Sequence, residues 1–372
     1  LKTFSELGVS EAFVKALREI KIINPSPIQL KAIPFLLEKG TDFIGQAPTG
    51  TGKTAAFGLP LLQAIHTGSD QIQGLILTPT RELGQQIARQ LFRFTKYSEK
   101  KIFTECVYGG AHIEAQMKAL SRPTHILVAT PGRLIDLLER KAVSLNHVKT
   151  IVLDEADEML SMGFKKELTH VLNQTAGSRH TWLFSATMPQ EIKIIIKTFL
   201  APDAFKVILD SSEVISKKID HQYVTCDAKE KMTILFNFLK SQGKKRGIIF
   251  CRTKSGAREL AGQLTEKKYA ADALQGDMLQ KERDKVMRAF KSEKLQILVA
   301  TDIAARGIDI DNLAYVVHFQ MPEQIDYYTH RSGRTARAGN TGICLSLISK
   351  DEFTGLKAIE RSLGIKMKNT YH

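Results

Sequence analysis

The sequence predicts an α/β protein of two tandem units, each a mostly parallel sheet flanked by helices. Three observations carry this. Short β-branched and apolar runs alternate with longer helical patterns along the whole chain. Those runs lack clean polar alternation, as expected of strands covered on both faces. At 372 residues the chain is too long for one ordinary core and suits two domains of about 150–200 residues each.

In the first half, strands are expected at 42–45, 74–78, 125–129, 150–153 and 180–185. In the second half they are expected at 222–225, 247–251, 295–300, 314–319 and 342–347. Strands alternating with helices imply parallel pairing through helical crossovers. The least periodic stretch is 209–218, which holds Ser211-Ser-Glu and Ser216-Lys-Lys. The linker is placed there, between domains at 1–208 and 219–372. The halves share an architecture but no evident sequence repeat.

Hydrophobic content of 43% and charged content of 25% are those of an ordinary globular protein. The net charge of +14 is not ordinary. It is shared: residues 1–208 hold 25 basic and 19 acidic side chains, and residues 209–372 hold 28 and 20. A basic balance in both halves suits a polyanion lying across both. Cys106, Cys226, Cys251 and Cys344 are scattered without metal-like spacing, so small buried hydrophobes in a reducing, cytoplasmic compartment are expected. No apolar run approaches the roughly 18 residues that cross a bilayer. No signal peptide is visible, in a chain that starts at Leu1.

Ala47-Pro-Thr49-Gly50-Thr51-Gly52-Lys53-Thr54 follows an expected strand and opens an expected helix, 55–62. That context suits a phosphate loop. Gly50 and Gly52 let backbone N–H groups approach phosphate without a Cβ in the way. Lys53 would lie on the β- and γ-phosphates, and the Thr54 hydroxyl on Mg²⁺. Ala47, Thr49 and Thr51 complete the expected nucleotide contacts. A plain glycine-rich turn is the competing reading.

Asp154-Glu155-Ala156-Asp157 directly follows the apolar run Thr150-Ile-Val-Leu153. Carboxylates at the end of a buried parallel strand stand where ligands bind in open α/β sheets. Asp154 can hold Mg²⁺, and Glu155 can orient and deprotonate an attacking water. The bland alternative is an acidic helix N-terminus. Ser185 and Thr187, at the end of another expected strand, could bridge to Asp157 or simply cap a helix.

With these segments in place, the chain resembles the DEAD-box ATP-dependent RNA helicases of superfamily 2. The match runs from about Phe4 to Leu356 and includes Pro25-Ser-Pro-Ile-Gln29, Pro79-Thr-Arg-Glu-Leu83, Gly109-Gly110, Thr130-Pro-Gly-Arg133, Ser185-Ala-Thr187, Gln280-x-x-Arg283, Ala300-Thr-Asp302, Ala305-Arg-Gly-Ile-Asp309 and His330-Arg331-Ser-Gly-Arg334-Thr-Ala-Arg337. The resemblance implies two RecA-like P-loop domains with ATP and RNA bound across a cleft. It implies Gln29 on the adenine edge, Asp309 on the ribose, and Arg334 and Arg337 reaching the γ-phosphate from the second domain. His330 and Arg331 would link the domains and the acidic segment. Arg81, Gly110, Thr130 and Arg133 match RNA contacts of the first domain, and Arg252, Arg283 and Thr301 those of the second. Ile22 stands where the family has an aromatic over the adenine, so a weaker contact is expected. Arg334 and Arg337 would share a face if helical. Ala336, where the family mostly has glycine, is expected to matter little at a helix position. A solvated basic helix is the bland reading of this stretch.

Small residues and arginines at loop ends suit phosphate and 2′-hydroxyl contacts rather than base reading, so binding should tolerate sequence and weaken with salt. The activity expected is RNA-stimulated ATP hydrolysis coupled to domain closure and local, non-processive separation of short RNA duplexes by a monomer. An ATP-gated RNA clamp that holds without unwinding would use the same residues. A double-stranded DNA translocase would not need Pro25-Ser-Pro-Ile-Gln29. A small-molecule kinase would leave the second domain unexplained.

Overall fold

The computed structural model describes residues 2–38, 41–175, 179–209, 218–305, 308, 310, 313–336 and 341–370. The chain divides into two compact units, Leu1–Asp210 and Ser211–His372. Only Leu209 and Lys218, the ends of the expected linker, fall among the described residues. Asp309 and Arg337 lie outside them.

The first unit holds strands β1 (Phe43–Gln46), β2 (Gly74–Leu77), β3 (Thr104–Val107), β4 (Ile126–Ala129), β5 (Thr150–Leu153), β6 (His180–Ser185) and β7 (Phe205–Ile208). They form one sheet in the order β3-β4-β2-β5-β6-β1-β7, every pair parallel. The second unit holds β8 (Ile219–Thr225), β9 (Gly247–Phe250), β10 (Ala271–Leu274), β11 (Ile297–Ala300), β12 (Tyr315–His318), β13 (Gly342–Ile348) and β14 (Lys368–Asn369). Their order is β10-β11-β9-β12-β13-β8-β14, again parallel throughout. Subtracting seven from each label returns the first sheet's order, so the two units share one topology without a sequence repeat.

Helices cover both faces of each sheet, and alternate strand residues feed opposite cores. Ile76, Val128 and Val152 pack with Phe57 and Leu91 on one face. Leu75, Leu127 and Ile151 pack with Leu168 and Val171 on the other. In the second unit Ile248, Leu298 and Val316 face Phe290 and Tyr328. Ile249, Val299 and Val317 face Phe238 and Leu264. Among the described residues no helix is long and apolar enough to cross a membrane.

The ten expected strands are present with ends shifted by up to three residues. Four others were not expected: β3, β7, β10 and β14. All four are edge strands. An edge strand buries less and needs no continuous apolar run. Thr104-Glu-Cys-Val107 is buried only at Val107, and Phe205-Lys-Val-Ile208 only at Val207.

Candidate active site and nucleic-acid interface

Every candidate group of the first unit stands at the carboxyl ends of its strands. β1 runs into the loop 47–52, and the helix Lys53–Gln63 follows. Gly50 and Gly52 have φ of +81° and +90°, a region side chains avoid. A Cβ on Gly52 would also crowd the Gln29 amide, which would have to leave its bond to the Gly52 carbonyl. Lys53 is buried and its Nζ donates to the Ala47 carbonyl at 2.9 Å, across the loop it would share with phosphate. The Thr51 hydroxyl donates to the Pro48 carbonyl at 2.8 Å.

Gln29 is buried against the same loop. Its Nε2 donates to the Gly52 carbonyl at 2.9 Å and its Oε1 accepts from the Ser26 N–H at 2.9 Å. An amide has two donors and two acceptor sites, so one of each remains beyond these bonds. Ile22 is half-buried and packs against the first core.

β5 delivers Asp154 and Glu155, which are 2% and 9% exposed. Glu155 adopts the left-handed conformation, φ +50° and ψ +51°. For a residue with a Cβ this costs about 1–2 kcal/mol. Such conformations persist where the surroundings hold them, commonly at functional sites. Its N–H donates to Asp154 Oδ1 at 3.1 Å. Burial pushes the Asp154 carboxyl up to about 7, with Lys53 opposing the rise and Glu155 adding to it. Asp157 Oδ2 accepts from the N–H and hydroxyl of Thr187 at 2.9 and 2.8 Å. Ser185 Oγ accepts from the Asp157 N–H at 3.3 Å and donates to the Thr187 carbonyl at 2.7 Å. The Ala47 N–H donates to the Ser185 carbonyl at 2.9 Å. The three loops are thus tied together, because β5, β6 and β1 are neighbours.

The donor set fits Mg²⁺. Among the described residues no group of three or more His, Cys, Asp or Glu side chains converges on one point. A magnesium ion held by one or two carboxylates and completed by substrate phosphates and water needs no such cage. Asp154 and the Thr54 hydroxyl supply that partial set.

The other half of the edge is formed by β2, β4 and β3, and there the first unit's RNA candidates gather. Arg81 opens the helix Arg81–Phe94, whose cap Thr80 accepts from the Leu83 N–H at 3.3 Å. Its guanidinium lies 5.5 Å from the Tyr108 ring centre. Gly110, with φ +78°, is beside it. Arg133 is buried and donates to the Ala111 carbonyl at 3.0 Å. Thr130 precedes the helix Pro131–Glu139 and donates its N–H to the Val107 carbonyl at 3.1 Å.

The second unit repeats the arrangement on the equivalent strands. Arg252 follows β9, Arg283 follows β10 and Thr301 follows β11. Arg283 Nη2 donates to the Ala304 carbonyl at 2.7 Å. Arg252 lies 3.5 and 3.8 Å from the carboxylates of Glu323 and Glu352, as Arg81 lies 3.3 Å from Glu82 and Arg133 3.5 Å from Asp136.

β12 leads to the helix Ile325–Ser332, which carries His330 and Arg331. His330 is half-buried. Arg331 is 2% exposed and forks onto Asp302, Nε to Oδ1 at 2.6 Å and Nη2 to Oδ2 at 2.7 Å. Its Nη1 donates to the Gln320 carbonyl at 2.9 Å and to His318 Nδ1 at 3.2 Å. Burial, with Arg331 alongside, holds His318 far below the usual histidine range, so it accepts as a neutral ring. Asp302, part of the matched Ala300-Thr-Asp302, received no role in the sequence reading.

Two expectations need correction here. The helix ends at Ser332, so Arg334 lies beyond it and its face is not set by helical spacing. Gly333 ends the helix, and Arg334 Nη1 instead donates to the Ile308 carbonyl at 2.8 Å. Ala336 is not a helix position either. Its φ is +55°, which is where a glycine costs nothing and a methyl does.

Comparison with known proteins agrees with this arrangement. Residues 26–195 match the DEAD/DEAH box helicase family model, and residues 230–339 match the helicase conserved C-terminal domain. The ATP-dependent RNA helicase CshA of Limosilactobacillus reuteri is 43% identical over 364 residues, covering 98% of this chain and 72% of that protein. The solved structure of S. cerevisiae Dbp5 bound to RNA and ADP BeF3 is 31% identical, with a TM-score of 0.91 over 100% of this chain and 96% of that one. Mss116p bound to ssRNA and AMP-PNP is 29% identical, with a TM-score of 0.88 over 100% of this chain and 80% of that one. Two RecA-like units, the loop–carboxylate constellation and this likeness place the chain in the DEAD-box family of superfamily 2 ATP-dependent RNA helicases.

Proposed function

We propose that this chain hydrolyses ATP in response to RNA and uses domain closure to separate short RNA duplexes locally. One observation carries the reading. Along the carboxyl edge of the first sheet, β5, β6 and β1 bear the phosphate loop and the carboxylates. The adjoining β2, β4 and β3 bear arginines and small residues suited to a sugar–phosphate strand. The second unit repeats the strand-bearing half on β9, β11 and β10, and Arg334 stands between β12 and β13.

Lys53 binds the β- and γ-phosphates, Ala47, Thr49, Gly50, Thr51 and Gly52 present backbone around them, Gln29 reads the adenine edge and Asp309 holds the ribose. Thr54 and Asp154 would hold Mg²⁺, which would offset negative charge on the phosphates. Glu155 takes a proton from water as the water oxygen attacks the γ-phosphorus, and ADP leaves with the bonding electron pair. Arg334 and Arg337 reach the γ-phosphate only on closure, and such arginines accelerate phosphoryl transfer by about 10³–10⁵. Asp157, Ser185, Thr187 and His330 couple the nucleotide loops to closure. Arg331, engaged by Asp302 and Gln320, acts as a positioning residue for Arg334.

ATP and single-stranded RNA both favour the closed state, so each strengthens binding of the other. Closure bends the RNA strand held by Arg81, Gly110, Thr130, Arg133, Arg252, Arg283 and Thr301, and its complement is lost. ATP turnover measured with and without single-stranded RNA, in wild type and Glu155→Gln, tests this. Turnover should rise with RNA and collapse in the variant. Full turnover in Glu155→Gln, or no response to RNA, would refute it. Stimulated turnover without strand separation of a short duplex would indicate a clamp instead.

A further inference from the structure

We propose that an open cavity at the amino-terminal edge of the second sheet binds a small ligand carrying several phosphate groups. The cavity has a volume of about 820 Å³ and lies where β8, β12 and β13 begin. That is within the roughly 300–1,000 Å³ of small-molecule sites. In a parallel sheet this edge is the opposite end from Arg252, Arg283 and Thr301, so the cavity is separate from the second unit's RNA positions.

Its lining includes Lys218, Lys245, Lys366 and Lys368 against one carboxylate, Asp220. Lysines thus outnumber carboxylates in the lining. Asp220 is already occupied, accepting from Lys368 Nζ at 2.7 Å and Gln222 Nε2 at 2.6 Å. A concave surface with charges of one sign concentrates counter-ions.

A second feature is independent of the lysines. His221 lines the cavity, is 5% exposed, and its Nε2 has no hydrogen-bond partner. Its Nδ1 is 2.7 Å from the Tyr328 hydroxyl. Burial lowers this histidine to about 4, so the ring is neutral. Tyr328 engages Nδ1, which leaves Nε2 as the ring's unpartnered nitrogen.

The test is calorimetric titration of inorganic tripolyphosphate into the whole chain, with ADP and excess Mg²⁺ present to occupy the phosphate loop. Wild type should bind, and Lys245→Glu with Lys366→Glu should weaken binding by about tenfold or more. Reversing two exposed lysines of the first unit, Lys166→Glu with Lys193→Glu, should change it by less than about twofold. No binding to wild type overturns the proposal, as does equal weakening by both pairs, which would mean general charge attraction. If the first pair weakens a single-stranded RNA oligonucleotide as much as tripolyphosphate, the cavity belongs to the nucleic-acid path and the small-ligand assignment is overturned.

Discussion

Asp154→Asn should stabilise the nucleotide-free protein while removing a magnesium ligand. The wild-type carboxyl is 2% exposed and its pKa rises from 3.8 to about 7 on folding. A shift of about 3 units corresponds to roughly 4 kcal/mol held against folding by the ionised form. The raised pKa means that the folded state keeps the proton. Its stabilising contribution is therefore full below pH 4 and lost as the pH climbs through about 7. Asparagine never ionises. Burying its amide takes back about 1–3 kcal/mol, which leaves a net gain of about 1–3 kcal/mol at pH 8. Thermal unfolding without nucleotide, in a chelator, should show a Tm gain of about 2–4 °C per kcal/mol for a unit of this size. The gain should shrink steadily as the buffer is lowered towards pH 4.5. An asparagine variant less stable at pH 8, or a gap indifferent to pH, would refute the reasoning.

Two further outcomes follow from the second unit. Ala336→Gly should raise its stability by about 1 kcal/mol, because φ is +55° there and the methyl is strained. A lower Tm would mean that packing of the methyl outweighs its strain. Arg331→Ala should cost about 3–5 kcal/mol in denaturant unfolding, since Asp302 is left without its fork. Arg331→Lys should recover only part of this, because an ammonium cannot bond both carboxylate oxygens in parallel. Unchanged stability in both variants would remove Arg331 from its positioning role.

What the sequence disclosed followed burial. The central strands are apolar at nearly every position because helices cover both their faces, so runs such as Leu75-Ile-Leu77 and Leu298-Val-Ala300 announced themselves. The edge strands carry Glu105, Lys206, Asp272 and Lys368, and no periodic signal distinguished them from loops. The phosphate loop and the acidic segment were legible because their chemistry is local, a few residues joining a strand to a helix. The Asp302–Arg331 fork was not, since it joins residues 29 apart in sequence. Backbone conformation was hidden as well. Nothing in the letter of Glu155 signals a left-handed residue, the family's glycine at the position of Ala336 was read as a helix position instead, and the spacing of Arg334 suggested a helix that Gly333 in fact ends.

The central claim is that ATP and RNA jointly close two otherwise separate units. It is tested by energy transfer between one dye in each unit, at the exposed positions of Lys100→Cys and Lys267→Cys, with half-buried Cys106 replaced by serine. Transfer should change little with a non-hydrolysable ATP analogue alone or RNA alone, change sharply with both, and fail to do so in Lys53→Ala. Equal transfer under all conditions, or a full change with RNA alone, would contradict the account.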